Sequence, residues 1–117
     1  MKLWDVASGK VIREFPNPDF KPALPGEAAP SHPGWVHAVR FTPDDKFLVT
    51  VGPAPRYKGY VAVWSVADGK RVAGAERESG PIQAMALTPD GTKLLLGCGP
   101  KSRTATEADG LLLKLPR

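Results

Sequence analysis

Apolar residues in this chain come in short bursts separated by Pro-Asp, Ser-Gly and Asp-Gly steps. No window keeps the i, i+3, i+4, i+7 spacing for three turns, so helix is expected to be nearly absent. The bursts are β-branched or leucine-rich and bounded by turn residues, which is the signature of strands. Nine are predicted, at residues 2–6, 10–15, 35–41, 46–51, 60–66, 70–75, 81–87, 93–98 and 111–115. Gly9 and Gly69 supply the positive φ that a tight turn demands. Leu94-Leu95-Leu96 and Leu111-Leu112-Leu113 are apolar at successive positions. That pattern belongs to strands covered on both faces, so the small sheets are expected to stack on one another.

The bursts repeat. VHAVRFTPDDKFLVTVGP (36–53) returns as IQAMALTPDGTKLLLGCGP (82–100), with Val36, Phe41 and Pro43 matched by Ile82, Leu87 and Pro89 at an offset of 46. The Gly52 and Gly99 positions stand 47 apart, which places one additional residue in the second turn. A second block, KLWDVASGKVI (2–12), matches VAVWSVADGKRV (61–72), with Trp4 and Trp64 in the same place. LLLKLP (111–116) is an eroded third copy with Lys114 where tryptophan would stand. Repeats of this size mean a stack of similar units rather than one folded core.

These blocks resemble the WD40 repeat family of β-propellers. The resemblance rests on Leu3-Trp4-Asp5-Val6 with Ser8-Gly9-Lys10, on His32 followed by Val36, Val39 and Phe41-Thr42-Pro43-Asp44, on Val63-Trp64-Ser65-Val66 with Asp68-Gly69-Lys70, and on Leu87-Thr88-Pro89-Asp90-Gly91. It implies an all-β fold, a partial propeller of four-stranded blades with strands a to d running outward from the axis. Residues 1–15 would then be strands c and d of an incomplete blade, and 16–34 a Pro-rich connection. Residues 35–80 would be a complete blade, and 81–117 a last blade lacking strand d. About nine strands fall short of a closed ring of four to eight blades. The resemblance also implies a buried polar network, in which His32, Thr50 and Trp64 take the places of the family's His, Ser or Thr, and Trp. No aspartate lies in the 53–59 connection, so the network of the complete blade is expected to be incomplete; Glu78 and Lys114 replace His and Trp in the last blade, where no network is expected.

Composition narrows the function. Thirteen prolines and twelve glycines in 117 residues exclude a helical bundle or coiled coil, and no apolar run approaches the ~18 residues of a spanning helix. Sixteen Lys and Arg against twelve Asp and Glu leave +4, dispersed along the chain rather than clustered as nucleic-acid binding needs. The single cysteine, Cys98, excludes an internal disulfide and any zinc site built on paired cysteines, and its apolar surroundings predict a buried thiol. No secretory signal precedes the first strand, so a cytoplasmic location is expected. His32 and His37 form no metal-ligand pair with a carboxylate, and no nucleophile has an evident base. Ala7-Ser8-Gly9-Lys10 lacks the first glycine and the helix of a phosphate loop. No catalytic, cofactor-binding or metal-binding residue is assigned, and the chain is read as non-enzymatic.

In an antiparallel meander the a–b and c–d turns share one face, and here all are short. The d–a connections (16–34, 76–80) and b–c connections (52–59, 99–110) share the other, and most are read as long. Binding residues concentrate on loops carried by a rigid scaffold, so this second face is the expected contact surface. Segment 16–34 holds six prolines and is expected to run extended over the surface, either as a contact loop or as a tolerated insertion. Trp35, Arg56, Tyr57, Lys58 and Arg103 are the protein-contact candidates, because Trp, Tyr and Arg dominate interface energetics. The loops of this face sum to no net charge, which again argues for a protein partner over nucleic acid or membrane. Two alternatives stand beside that reading. The chain would be a detached accessory or regulatory piece of a larger multidomain protein, for example a kinase-type enzyme, or would complete a ring by self-association through open sheet edges.

Overall fold

The computed structural model describes residues 1–22, 25–26, 29–78, 80–100 and 109–114, with backbone alone for 109–113. Its strands are β1 (Lys2–Trp4), β2 (Val11–Glu14), β3 (Ala38–Phe41), β4 (Phe47–Ala54), β5 (Lys58–Ser65), β6 (Arg71–Arg77), β7 (Ile82–Leu87), β8 (Lys93–Cys98) and β9 (Asp109–Lys114). They form three antiparallel meanders, β1-β2, β3-β4-β5-β6 and β7-β8-β9. The repeated Asp-x-x-x-Gly and Ser-x-x-x-Gly turns close identically. Gly9 N–H donates to Asp5 O at 2.8 Å and Gly69 N–H to Ser65 O at 2.9 Å, both glycines having φ near +70°.

The middle sheet is buried on both faces because alternate side chains point to opposite sides. Val49, Val51 and Val63 pack with Ile82, Met85, Leu94, Leu96 and Cys98 of the last sheet. Leu48, Tyr60, Ala62 and Trp64 pack on the other side with Phe15 and, at the margin, Met1 and Leu3. The last sheet differs from the two-sided burial that Leu94-Leu95-Leu96 predicts, while the burial of Leu111-Leu112-Leu113 lies outside what is described. In β8, Leu94, Leu96 and Cys98 are buried while Lys93, Leu95 and Gly97 are exposed, because no described residue stacks on that outer face.

The additional residue of the second repeat is not in its turn. Thr42 N–H donates to Phe47 O at 2.9 Å, and Thr88 N–H donates to Lys93 O at 3.0 Å. The hydroxyls of Thr42 and Thr88 accept the return bonds at 3.2 and 3.1 Å. The two turns are therefore equal in span, and β8 carries the extra residue before Gly99, with β7 bulged between Ile82 and Ala84. In consequence Leu96, opposite Met85, stands where Thr50 stands opposite Val39.

The 52–59 connection is also shorter than predicted. Ala54 pairs with Lys58, leaving only Pro55, Arg56 and Tyr57 as the turn. Pro53 lies inside β4 at no cost to the β3 ladder, because β3 pairs no further along β4 than Val51.

The Pro-rich segment 16–34 is not simply laid over the surface. Phe15 is fully buried with its edge on the Trp64 ring, centroids 6.0 Å apart. The Asn17 amide donates to Ser31 O at 3.0 Å and to the Tyr60 hydroxyl at 2.7 Å. Arg71 donates to Asn17 Oδ1 at 3.0 Å and to the Asp19 carboxylate. The prolines deny the segment a ladder, and side chains tie its ends to β5 and β6 instead. Asn17→Ala strips partners from buried groups, a loss of about 1–3 kcal/mol. Urea unfolding is expected to show that loss, and limited proteolysis to cut faster between residues 18 and 30.

Candidate functional site

Two sets of predicted residues lie near one another at the end of the middle sheet, one exposed and one buried. The exposed set starts at Trp35, whose side chain is 78% accessible. Gly52 permits this placement, since a Cβ there would collide with the Trp35 carbonyl oxygen. The Trp35 ring lies over the His37 ring at 6.2 Å, tilted 33°. With Pro33, Gly34, Pro53, Ala54 and Pro55 it lines an open cleft of about 370 Å³. A larger hollow of about 500 Å³ beneath segment 16–34 is lined by Met1, Lys2, Glu14, Phe15 and Pro16 among others, but it displays no exposed aromatic ring.

Pro55 leads from the cleft into Arg56 and Tyr57, with φ of 66° and 60°. Left-handed backbone is costly for side chains of this size, and glycine or asparagine is the ordinary occupant of such a turn. Both side chains are exposed. Lys58 is drawn the other way, with its ammonium 3.0 Å from Glu78 and 3.9 Å from Glu76. It is half-buried and neutralised rather than offered to solvent. Arg103 lies outside the described residues. The lining prolines went unrecognised in the sequence; their signal was His-Pro-Gly-Trp and Gly-Pro-Ala-Pro flanking an aromatic residue.

The buried set lies behind the cleft. His32 Nε2 is 2.7 Å from Thr50 Oγ1, and Trp64 Nε1–H donates to the same oxygen at 2.9 Å. The His32 ring meets Tyr60 edge-on at 4.9 Å. Its Nδ1 is buried without a hydrogen-bond partner among the described residues, consistent with the missing aspartate of the 53–59 connection. Burial, and then the positive N-terminal ammonium, lower the His32 pKa to about 4. This group holds the sheet together and offers no reactive atom to solvent.

The opposite face spends its polar groups on its own backbone. The Asp44 and Asp90 carboxylates each accept from a threonine hydroxyl at 2.6 Å and from a turn N–H. Hydrogen bonds from the Thr88 hydroxyl and Thr92 lower the Asp90 pKa to about 2.

Over 98% of this chain, the three sheets superpose on a chain of Kuenenia stuttgartiensis hydrazine synthase with a TM-score of 0.67 and 16% identity. The chain has the all-β fold of a partial propeller. By sequence, this propeller segment is 33% identical over 69 residues to apoptotic protease-activating factor 1 of Mus musculus. It is 30% identical over 70 residues to the Homo sapiens protein. These matches cover 59% and 60% of the chain. The propeller segment spans only 5% of those relatives' length and 32% of the structural neighbour. No family model matches it.

Proposed function

We propose that this propeller segment is a non-catalytic scaffold that holds a protein partner on its loop-rich face. Trp35, Arg56 and Tyr57 are the direct contacts, Lys58 braces the turn through β6, and Arg103 belongs to the same face. The observation that carries the reading is the exposed Trp35 beside three prolines, at the open end of a rigid sheet. A large aromatic flanked by apolar walls is the usual anchor of an interface, and the left-handed Arg56-Tyr57 turn is backbone strain of the kind found at functional sites. Without a basic cluster, the face suits a protein better than nucleic acid, and the partner is cytoplasmic in this reading. A second reading, an accessory segment working inside a longer polypeptide, is favoured by the small share of the relatives that this chain spans.

Affinity capture from source-cell extract, comparing wild type with Trp35→Ala and Arg56→Glu, tests the proposal. Both variants are expected to lose the same captured proteins while keeping wild-type circular dichroism. Unchanged capture by both variants would reject the site. Tyr57→Gly separates strain from contact: it is expected to raise stability by about 1 kcal/mol while weakening capture.

A further inference from the structure

The cleft beside Trp35 is walled by rings and methyl groups, from Pro33, Trp35, Pro53, Ala54 and Pro55. Its three prolines carry no N–H, so a partner's backbone finds no row of donors there and recognition falls to apolar side chains. The walls are held backbone to backbone. A Cβ on Gly34 would stand 3.0 Å from the Pro53 carbonyl oxygen, and one on Gly52 would collide with that of Trp35. Binding therefore orders little that is not already fixed. The cleft lies open, with Trp35 78% exposed, which suits a chain laid across it better than a small molecule that needs most of its surface enclosed. Aromatic-lined grooves of this kind take extended, Pro-containing segments, which have little conformational entropy to lose.

The charge beside the cleft is of one sign. Arg56 follows Pro55 directly and is exposed. The ion pairs at this end of the sheet join Lys58 to Glu76 and Glu78, and Arg77, opposite Gly59, offsets the second of those acids. Charges around the β4–β5 turn thus balance except for Arg56, whose guanidinium makes no ion pair with a described residue. One guanidinium matches one carboxylate through two parallel hydrogen bonds, whereas phosphorylated motifs are held by clusters of arginines. A basic segment would meet Arg56 as a like charge and find both glutamates already engaged.

We infer that the partner held on this face, on the loop-face reading above, presents an extended segment in which proline or another apolar residue stands beside aspartate or glutamate. The apolar residue seats between Trp35 and the prolines, and the carboxylate receives the Arg56 guanidinium. Spacing follows from the chain. Arg56 begins one Cα step, about 3.8 Å, beyond the cleft wall, so at ~3.3 Å per extended residue the acid lies about one to three residues from the apolar one. The loops of the whole face carry no net charge, so this one pair, rather than bulk attraction, selects the segment.

Panning a display library of random dodecapeptides on the full 117-residue chain tests the pairing. Enriched sequences are expected to join proline or leucine to aspartate or glutamate. Resynthesised with fluorescein, they should bind with a Kd that rises about tenfold or more in Arg56→Gly and Arg56→Glu, through loss of a charged hydrogen bond. Trp35→Ala should raise it about thirtyfold, as loss of an aromatic anchor does, and Trp35→Leu serves if the alanine variant unfolds. Glycine is at ease at the positive φ of Arg56, so Arg56→Gly keeps the turn and reports the side chain alone. Panning on Arg56→Glu should enrich Lys- or Arg-bearing peptides instead. Peptides that need Trp35 but are basic, uncharged or indifferent to both Arg56 changes overturn the carboxylate pairing while leaving the face a binding site. Peptides that ignore Trp35 as well overturn both. A single-stranded RNA decamer bound through Trp35 would also overturn the acidic segment. So would no enrichment at all, while the capture comparison above judges the face independently.

Discussion

Trp64→Ala is expected to abolish cooperative unfolding of the chain in urea. The side chain is fully buried, meets Phe15 edge-on and donates its indole N–H to Thr50 at 2.9 Å. Truncating such a residue costs about 3–5 kcal/mol through lost burial and the cavity left behind. Small domains hold about 5–15 kcal/mol in total, and a chain of this size lies toward the low end. The loss reaches past the middle sheet, because Trp64 is also the floor on which Phe15 anchors segment 16–34. Trp64→Phe keeps most of the apolar volume and removes the hydrogen bond, so it should cost less and leave a measurable transition. Trp4→Ala is the control. The same residue type, at the same place in its sheet but half-exposed, should shift the urea midpoint little. Equal losses at the two tryptophans would contradict the burial contrast between them.

That contrast also marks what the sequence could disclose. The strand order, the meander connections and the Trp4–Trp64 equivalence were legible, because β-branched bursts and Asp-Gly or Ser-Gly turns are local signals. Burial was not local. Leu94-Leu95-Leu96 reads as a two-faced strand, yet Leu95 is exposed because stacking depends on a neighbouring sheet. The repeat offset misled in a similar way: Gly-Pro at 52–53 and 99–100 invited an alignment that put the added residue in the turn, whereas paired threonine bonds keep both turns equal. Proline content correctly denied segment 16–34 a place in a sheet, but only Asn17, Ser31 and Arg71 together show that it is tied down. At the candidate site Trp35 was legible as an aromatic at a strand entrance. The retreat of Lys58 toward Glu76 and Glu78 required the β5–β6 register, which no single segment carries.

Acidification should destabilise this protein before its carboxylates begin to titrate in earnest. His32 has a pKa of about 4 in the folded chain, against about 6.5 for an unperturbed histidine. The unfolded chain therefore binds more protons between those values, and stability falls as pH drops through that window. Above pH ~6.5 the ring is neutral in both states and the contribution is fully present. Below pH ~4 the loss is complete, and it amounts to roughly 3 kcal/mol at about 1.4 kcal/mol per pH unit. The cause is geometric. Nε2 is occupied by Thr50, and Nδ1 is buried with no described acceptor for the proton of an imidazolium. Burial lowers the pKa first, and the N-terminal ammonium adds to the same direction. Asp90, with a pKa lowered to about 2, gives up its contribution only at lower pH, between its ordinary value near 4 and that depressed one. The two effects are separable in a series of urea melts from pH 7.5 to pH 3. His32→Gln should flatten the profile between pH 6.5 and 4 while leaving the decline below pH 4 in place. A wild-type midpoint that stays constant from pH 6.5 to 4.5 would mean that the imidazole takes up its proton without cost, and the neutral His32–Thr50–Trp64 chain would then lose its part in holding the sheet.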